Sequence, residues 1–363
     1  MVHAPVALRA PFGRARRFSV SLLLVSAVGP GCRGFMHSQT GDVTTSYAAE
    51  HVTPYVMSTD DAEMACQSGL AMGDFTMSFE RVTDRPDLAA LSALTSAASC
   101  AESRAWEAEL RNLRALKAGR ADEAQDARIE EKRWRAVAAK RYGAAWDRLT
   151  LHFGTPGDKC PEFEGKIEET HYLLGLIAGG QAVTHDRASE GEAGIALDVP
   201  RLAARGSECL DDARWFGVPS ALRAAVWLSV PGATPAGEDP WKRLADAAAL
   251  GESKGMRLAT SIRIESLAAA GRLEEVRTAI TEAVAARSRT PTHPDYRLLD
   301  KNGFLLMQQM SDRLWTREVG HRTPSGALGS FPAVAGAATQ EDSSLFEGLG
   351  EPAASPPPPA TNP

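Results

Sequence analysis

The chain has 363 residues, 44% hydrophobic, 24% charged and 6% aromatic, and its 40 Lys and Arg against 46 Asp and Glu give a net charge of −6. That is the mix of a globular, alanine-rich helical protein with one large domain or two small ones, not of a collagenous or wholly disordered chain. The acidic balance argues against a protein held to nucleic acid by phosphate contacts. No apolar run reaches the ~18–20 residues of a full membrane span.

The first residues read as an export signal. Arg9, Arg14, Arg16 and Arg17 form a basic start with no acid, and Phe18 to Val28 is an apolar stretch of 11 residues, within the range for a cleaved signal. Gly29-Pro30-Gly31-Cys32 follows. This is where a lipoprotein is cut and diacylated on the Cys32 sulfur; Gly31 suits the peptidase, whereas Gly29 stands where Leu is usual. Ordinary cleavage nearby, with Cys32 a plain thiol, is the alternative. Removing residues 1–31 takes away four Arg and no acid, leaving 36 bases against 46 acids and a net charge of −10. A polybasic patch for anionic lipid is therefore missing, and the membrane would be held through the acyl anchor alone. Arg33, in place of the Asp associated with inner-membrane retention, favours a periplasmic location tethered to the outer membrane.

Residues 32–57 are expected to be an extended linker after the anchor. Ser58-Thr59-Asp60-Asp61 then supplies a helix cap with acids in the first turn, where the helix dipole favours them. The apolar series Met64, Leu70, Phe75, Met77 and Phe79 predicts a helix to about Val82, and Pro86 suits the first turn of the next helix, which should end at Gly119. A third, strongly charged helix is expected from Ala121 to about Leu151, stopped by Gly154. Setting Cys32 aside leaves Cys66, Cys100, Cys160 and Cys209, an even number suited to an oxidising space. Cys66 and Cys100 each lie 17 residues from position 83, the turn between two antiparallel helices, so they stand at the same height of a helical hairpin. A bridge there leaves Cys160–Cys209 by elimination; four small buried thiols are the alternative.

Further along, an apolar helix is expected from Tyr172, weakened at Gly179-Gly180, then a polar loop to Asp198 and a helix from Val199-Pro200 through Cys209. Trp215-Phe216-Gly217-Val218-Pro219 is a compact aromatic turn. Asp239-Pro240-Trp241 reads as cap, first-turn Pro and apolar anchor, with helices at about 240–251, 255–270, 273–288 and 294–318. No segment alternates as a strand does. The fold class is all-α, antiparallel helical hairpins in a tetratricopeptide-like bundle or solenoid, and Leu267, Gly271, Leu273, Val276, Ile280 and Ala283 match the second half of such a repeat. The domain is set at 58–318, and the Gly/Ala/Pro-rich segment 319–363 is expected to be a disordered tail.

Chemistry is sparse. P-loop, HExxH and zinc-spaced His/Cys groupings are missing from the sequence, and no catalytic residue, metal or cofactor is assigned. The scattered His152, His171, His185, His293 and His321 read as surface or satisfied histidines, and Glu168-Glu169-Thr170-His171 as an ordinary helix start. Tyr142, Trp146, Trp215 and Trp227 are the candidates for a ligand groove, against the simpler reading of helix–helix packing. A naked anion would be an awkward guest for so acidic a chain unless a local basic cluster compensates.

The features have a recognisable order. A lipoprotein signal precedes Ser58-Thr59-Asp60-Asp61-Ala62-Glu63, then a small-residue helix through Leu91-Ser92-Ala93-Leu94-Thr95-Ser96-Ala97-Ala98. An Arg-rich helix runs from Arg133-Trp134-Arg135 to Arg141-Tyr142-Gly143, followed by Leu197-Asp198-Val199-Pro200-Arg201 and a closing repeat-like pair. Over about 58–318 this resembles the TatT family, the T component of tripartite ATP-independent periplasmic transporters with tetratricopeptide-like subunits, as a divergent member. Ala62 stands where the family has Pro, and the family's Tyr-Ala pairs are missing around Cys100. The resemblance implies a lipid-anchored periplasmic protein that can form a homo-oligomer, contacts a solute-binding protein and holds or passes an apolar or organic-acid ligand, without catalysis. The alternative function is a helical-repeat scaffold for envelope or outer-membrane assembly with no small ligand.

Overall fold

The computed structural model describes residues 30–83 and 86–332, the first four through their backbone alone. The expected signal over 1–31 therefore lies outside the described residues except for Pro30 and Gly31. Twelve α-helices and no strand occur among the described residues, and the fold is all-α.

The first departure from expectation is at the start. Residues 32–57 are helical, not extended: α1 (Pro30–Tyr47) runs through one π-helical turn (Ala48–Val52) into α2 (Thr53–Met57). The buried face is Gly41, Thr45, Ala49, Thr53 and Met57, one residue in every four. Small and hydroxylic residues fill that stripe, so no apolar period announces it. Thr45 Oγ1 satisfies itself on the Gly41 carbonyl at 2.9 Å. A four-residue spacing outruns the 3.6 residues of an α-turn; the wider π-turn resets the phase and accommodates Pro54, which has no N–H to give.

α3 (Ala62–Ser78) is capped by Asp61, whose carboxylate accepts from the Met64 N–H at 2.8 Å. α4 (Asp87–Lys117) and α5 (Ala121–Phe153) follow, the turn between them made by Gly119 and the end of α5 by Gly154, both at positive φ. α6 (Lys166–Ala188) does not weaken at Gly179-Gly180. Gly179 instead receives the face of Trp146, which a Cβ would strike, so the glycine is there for close approach. The remaining helices are α7 (Val199–Ser207), α8 (Val218–Ser229), α9 (Pro240–Ser253), α10 (Leu258–Ala269), α11 (Leu273–Arg289) and α12 (Arg297–Val319). Asp239 caps α9 as expected, accepting from the Trp241 and Lys242 N–H groups at 3.0 and 3.1 Å.

Each helix from α3 to α10 packs on the next in sequence, as hairpins do. Disulfides close two of these junctions. Cys66–Cys100 joins α3 to α4 with Cα atoms 5.4 Å apart, and Cys160–Cys209 ties the loop before α6 to the end of α7 at 5.3 Å. Most of the buried apolar residues form one core from Met57 to Leu299, and α10, α11 and α12 enclose a smaller one around Ile264, Ile280 and Met307. α12 then returns to pack on α4. The stack is thereby closed into a bundle.

The expected disordered tail starts too early at 319. Residues 320–332 form a strap over α11 and α12: Thr323 bonds Asp312 and Ser311, Trp315 Nε1 donates to the Ser330 carbonyl at 3.1 Å, and Leu328 and Phe331 pack on the smaller core. Apolar residues at 328 and 331, hidden in Gly/Ser-rich surroundings, make this possible. Residues 333–363 lie outside the described residues.

Candidate functional site

A dense group of ionisable side chains lies where α4, α5, α6, α10 and α12 meet. α4 is lined with buried alanines (Ala98, Ala101, Ala105, Ala108), and its Glu102 and Glu109, seven residues apart, face the same interior. Arg128, Arg135 and Tyr142 repeat at the same seven-residue interval on α5. Small alanines let the helices approach closely, and the long polar side chains fill the space that remains.

His185, 1% exposed, is the centre. Arg135 Nη1 donates to its Nδ1 at 3.2 Å, so that nitrogen carries no proton, and Nε2–H donates to Glu102 Oε1 at 3.0 Å. The ring lies parallel to Tyr142 with centroids 5.6 Å apart, and the Tyr142 hydroxyl donates to Glu102 Oε2 at 3.0 Å. Burial pushes the His185 pKa down and keeps the imidazole neutral; burial and the adjacent Glu102 carboxylate push Tyr142 up. Burial also works against the Glu102 charge, but His185, Arg135 and Tyr142 together overcome it and hold its carboxyl below the ordinary range.

A second carboxylate, Glu109, joins the group to α12. It is reached by Arg135 Nη2 at 3.2 Å, Gln309 Nε2 at 2.9 Å and Arg313 Nε at 2.7 Å. Glu131 completes the set, paired with Arg128 at 2.7 Å and Arg135 at 3.5 Å. Three guanidinium groups thus balance three carboxylates. Glu265 on α10 is the odd one: burial first, then the Glu102 charge, raise it to about 8 against the opposing Arg135 and Arg313. Near neutral pH it holds its proton.

The interior placement limits what the cluster can do. Both His185 nitrogens are engaged and the ring is sealed, so it cannot take a proton from a guest without the helices parting. The cluster fixes the register of five helices. Among the described residues no group of three or more His, Cys, Asp or Glu could hold a metal ion.

Tyr142 belongs to this cluster, not to a groove. Trp146 is buried against Gly179, and Trp215, with no exposed surface, donates from Nε1 to Glu169 Oε2 at 2.8 Å. These three aromatic candidates are core, Tyr142 at 5%, Trp146 at 6% and Trp215 at 0% exposure, with Gly179 making the room for the Trp146 ring. Trp227 alone of the four borders an open cleft, of about 860 Å³, with Arg243 over its ring at 5.1 Å. The Glu168–His171 stretch is a helix start, as expected: Glu168 accepts from the Glu164 N–H at 2.7 Å. His171, fully buried, hydrogen-bonds the Ile167 carbonyl at 2.8 Å, and burial lowers it to about 4. Cys32 lies in the first turn of α1, its side chain outside the described residues.

Sequence reasoning missed Glu102, Glu109 and Glu265, while His185, read there as a surface or satisfied histidine, is satisfied through both ring nitrogens. The available signal was two acids at i and i+7 inside the small-residue stripe of α4, opposite Arg and Tyr at the same interval on α5. No family model, curated protein or solved structure matches the chain significantly. What stands is a class: an all-α bundle closed by two disulfides, which fit an oxidising, non-cytoplasmic compartment. No helix among the described residues is long and apolar enough to cross a membrane.

Proposed function

We propose that the protein is a lipid-anchored accessory subunit of a solute transport system in the periplasm, tethered through Cys32 to the outer membrane and working by contact with a solute-binding protein rather than by catalysis. The observation that supports this best is the course of α1. Around Gly34, Phe35, Met36 and His37 every side chain is exposed, and burial begins at Gly41, so the helix carrying Cys32 leaves the body as a short arm. An acyl group on Cys32 would hold the folded body clear of the bilayer while leaving its helical faces free for a partner. The sealed interior cluster also favours a rigid adaptor over an enzyme.

Mass spectrometry of the protein extracted from membranes tests the anchor: a diacylated N-terminal Cys32 is expected, and Cys32→Ser should release the chain from the membrane fraction. Cross-linking in intact cells, with recovery of a solute-binding protein, tests the transport link. Recovery of outer-membrane assembly components instead would favour the scaffold alternative. One observation speaks for that alternative: Met36, Val43, Tyr47 and Tyr55 are exposed apolar residues along the N-terminal arm, a stripe suited to protein contact.

A further inference from the structure

The first turn of α6, the turn between α7 and α8, the end of α9 and the loop after α11 converge on an open cleft of about 730 Å³. Lys166, Arg214, Lys254 and His293 stand around it, with Phe216 at its floor and Glu169 as the single carboxylate of the lining. That excess of positive charge is unusual ground in a chain of net charge −6.

Glu169 is already committed. One oxygen pairs with Arg214 and the other accepts from Trp215 Nε1, so it orients the wall without offsetting the other cations. Lys254 hydrogen-bonds the Ala213 carbonyl and, among the described residues, pairs with no carboxylate. Lys166 lies 5.0 Å above the Tyr296 ring and 3.4 Å from the exposed Asp295, a pair screened by water. His293 accepts from the Asp295 N–H on Nδ1 at 3.3 Å, which leaves Nε2 as its free nitrogen.

The floor is held in an uncommon conformation. Phe216 has φ +58°, followed by Gly217 at +77°, and a bulky residue in the left-handed region persists only where its surroundings over-determine it. Here the ring is fixed edge-on between His293 at 5.2 Å and Tyr296 at 5.6 Å. The aromatic turn Trp215-Phe216-Gly217 thus places an apolar floor beneath three cations.

We propose that this cleft is a binding site for a small organic anion, its carboxylate or phosphate held by Lys166, Lys254 and Arg214 and its apolar body resting on Phe216. The volume suits a ligand of that size. The inference stands apart from the tether and the transport link, because it concerns the isolated body.

Isothermal titration of the purified full chain with phenyl phosphate, benzoate, inorganic phosphate and the neutral analogue benzyl alcohol tests it. Phenyl phosphate or benzoate should bind, each more tightly than benzyl alcohol, and affinity should fall as salt screens the cations. Which of the two binds tighter tells a phosphate guest from a carboxylate one. Lys166→Gln with Lys254→Gln, both exposed positions, should weaken binding at least tenfold with an unchanged melting temperature, and Lys254→Arg should retain most of it. Equal affinity in the double Gln variant, or benzyl alcohol binding as well as the anions, would overturn the site. Inorganic phosphate binding as tightly as phenyl phosphate would overturn the organic half of the assignment.

Discussion

Glu265→Gln tests the balance of the interior cluster most directly. The folded protein holds the Glu265 carboxyl at about 8, against an ordinary 4.5, so folding favours its protonated form. The sign follows from linkage: a raised folded-state pKa leaves stability intact below the unfolded value and removes it as pH climbs toward the folded one. At ~1.36 kcal/mol per pH unit of mismatch, the wild-type chain should lose about 2 kcal/mol between pH 6.5 and 8.5 from this group alone. The side chain keeps part of its surface open to solvent, so that figure is an upper bound. Gln keeps the shape and cannot ionise. Urea unfolding followed by helical circular dichroism at pH 6.5, 7.5 and 8.5 should show the wild type weakening and the variant level, with the two closest at the lowest pH. Parallel profiles would refute the assignment of Glu265 as the uncompensated carboxyl.

The opposite limb of the pH profile belongs to His171. It is held near 4 by burial against 6.5 unfolded, so stability present above pH 6.5 is lost toward pH 4, by up to ~3.4 kcal/mol, and His171→Phe should flatten that loss in urea titrations. Cys66–Cys100 and Cys160–Cys209 close separations of 34 and 49 residues. Chain entropy gives each about 4 kcal/mol, so dithiothreitol should lower the urea midpoint markedly, and Cys66→Ser with Cys100→Ser should reproduce part of the drop. Truncation after Val319 removes the strap over Trp315 and should lower the melting temperature by about 5 °C, with a red shift in tryptophan emission. Gly179→Ala drives a methyl into the Trp146 ring and should destabilise by ~1–3 kcal/mol, read as a fall in urea midpoint.

Legibility in the sequence tracked residue size. Helix ends were readable where a short polar side chain or glycine has a local job: Asp61 and Asp239 as caps, Gly119 and Gly154 as stops. Hairpin symmetry about position 83 was enough to suggest Cys66–Cys100, since two bridged residues need only equal heights and facing sides. The stripe Gly41-Thr45-Ala49-Thr53-Met57 was not readable as a helix, because burial there falls on residues that hydropathy ranks as neutral. The aromatic groove failed for the reciprocal reason. Rings were weighed by their size, whereas the setting of Trp146 was decided by the glycine opposite it, Gly179. The charged cluster fell between both habits: a charge run on α5 usually marks a solvated face, and in this one Glu131 and Arg135 turn inward.

The charged side chains of α4 explain why the stack of hairpins closes. In an open repeat array each unit touches only its neighbours, and stability is close to a sum of local terms. Here Glu109 on the second long hairpin accepts from Gln309 and Arg313 on the last helix, Lys117 donates to the carbonyls of Arg317 and Glu318, and Arg322 of the strap pairs with Glu107. α4 and α12 are therefore held together through charged side chains, and ordering α12 without α4 would leave charges buried and unpaired, which costs more than the pairing itself returns. A chain built this way has reason to keep its interior acids and bases matched in number. Glu265 can depart from that match because it carries its own proton.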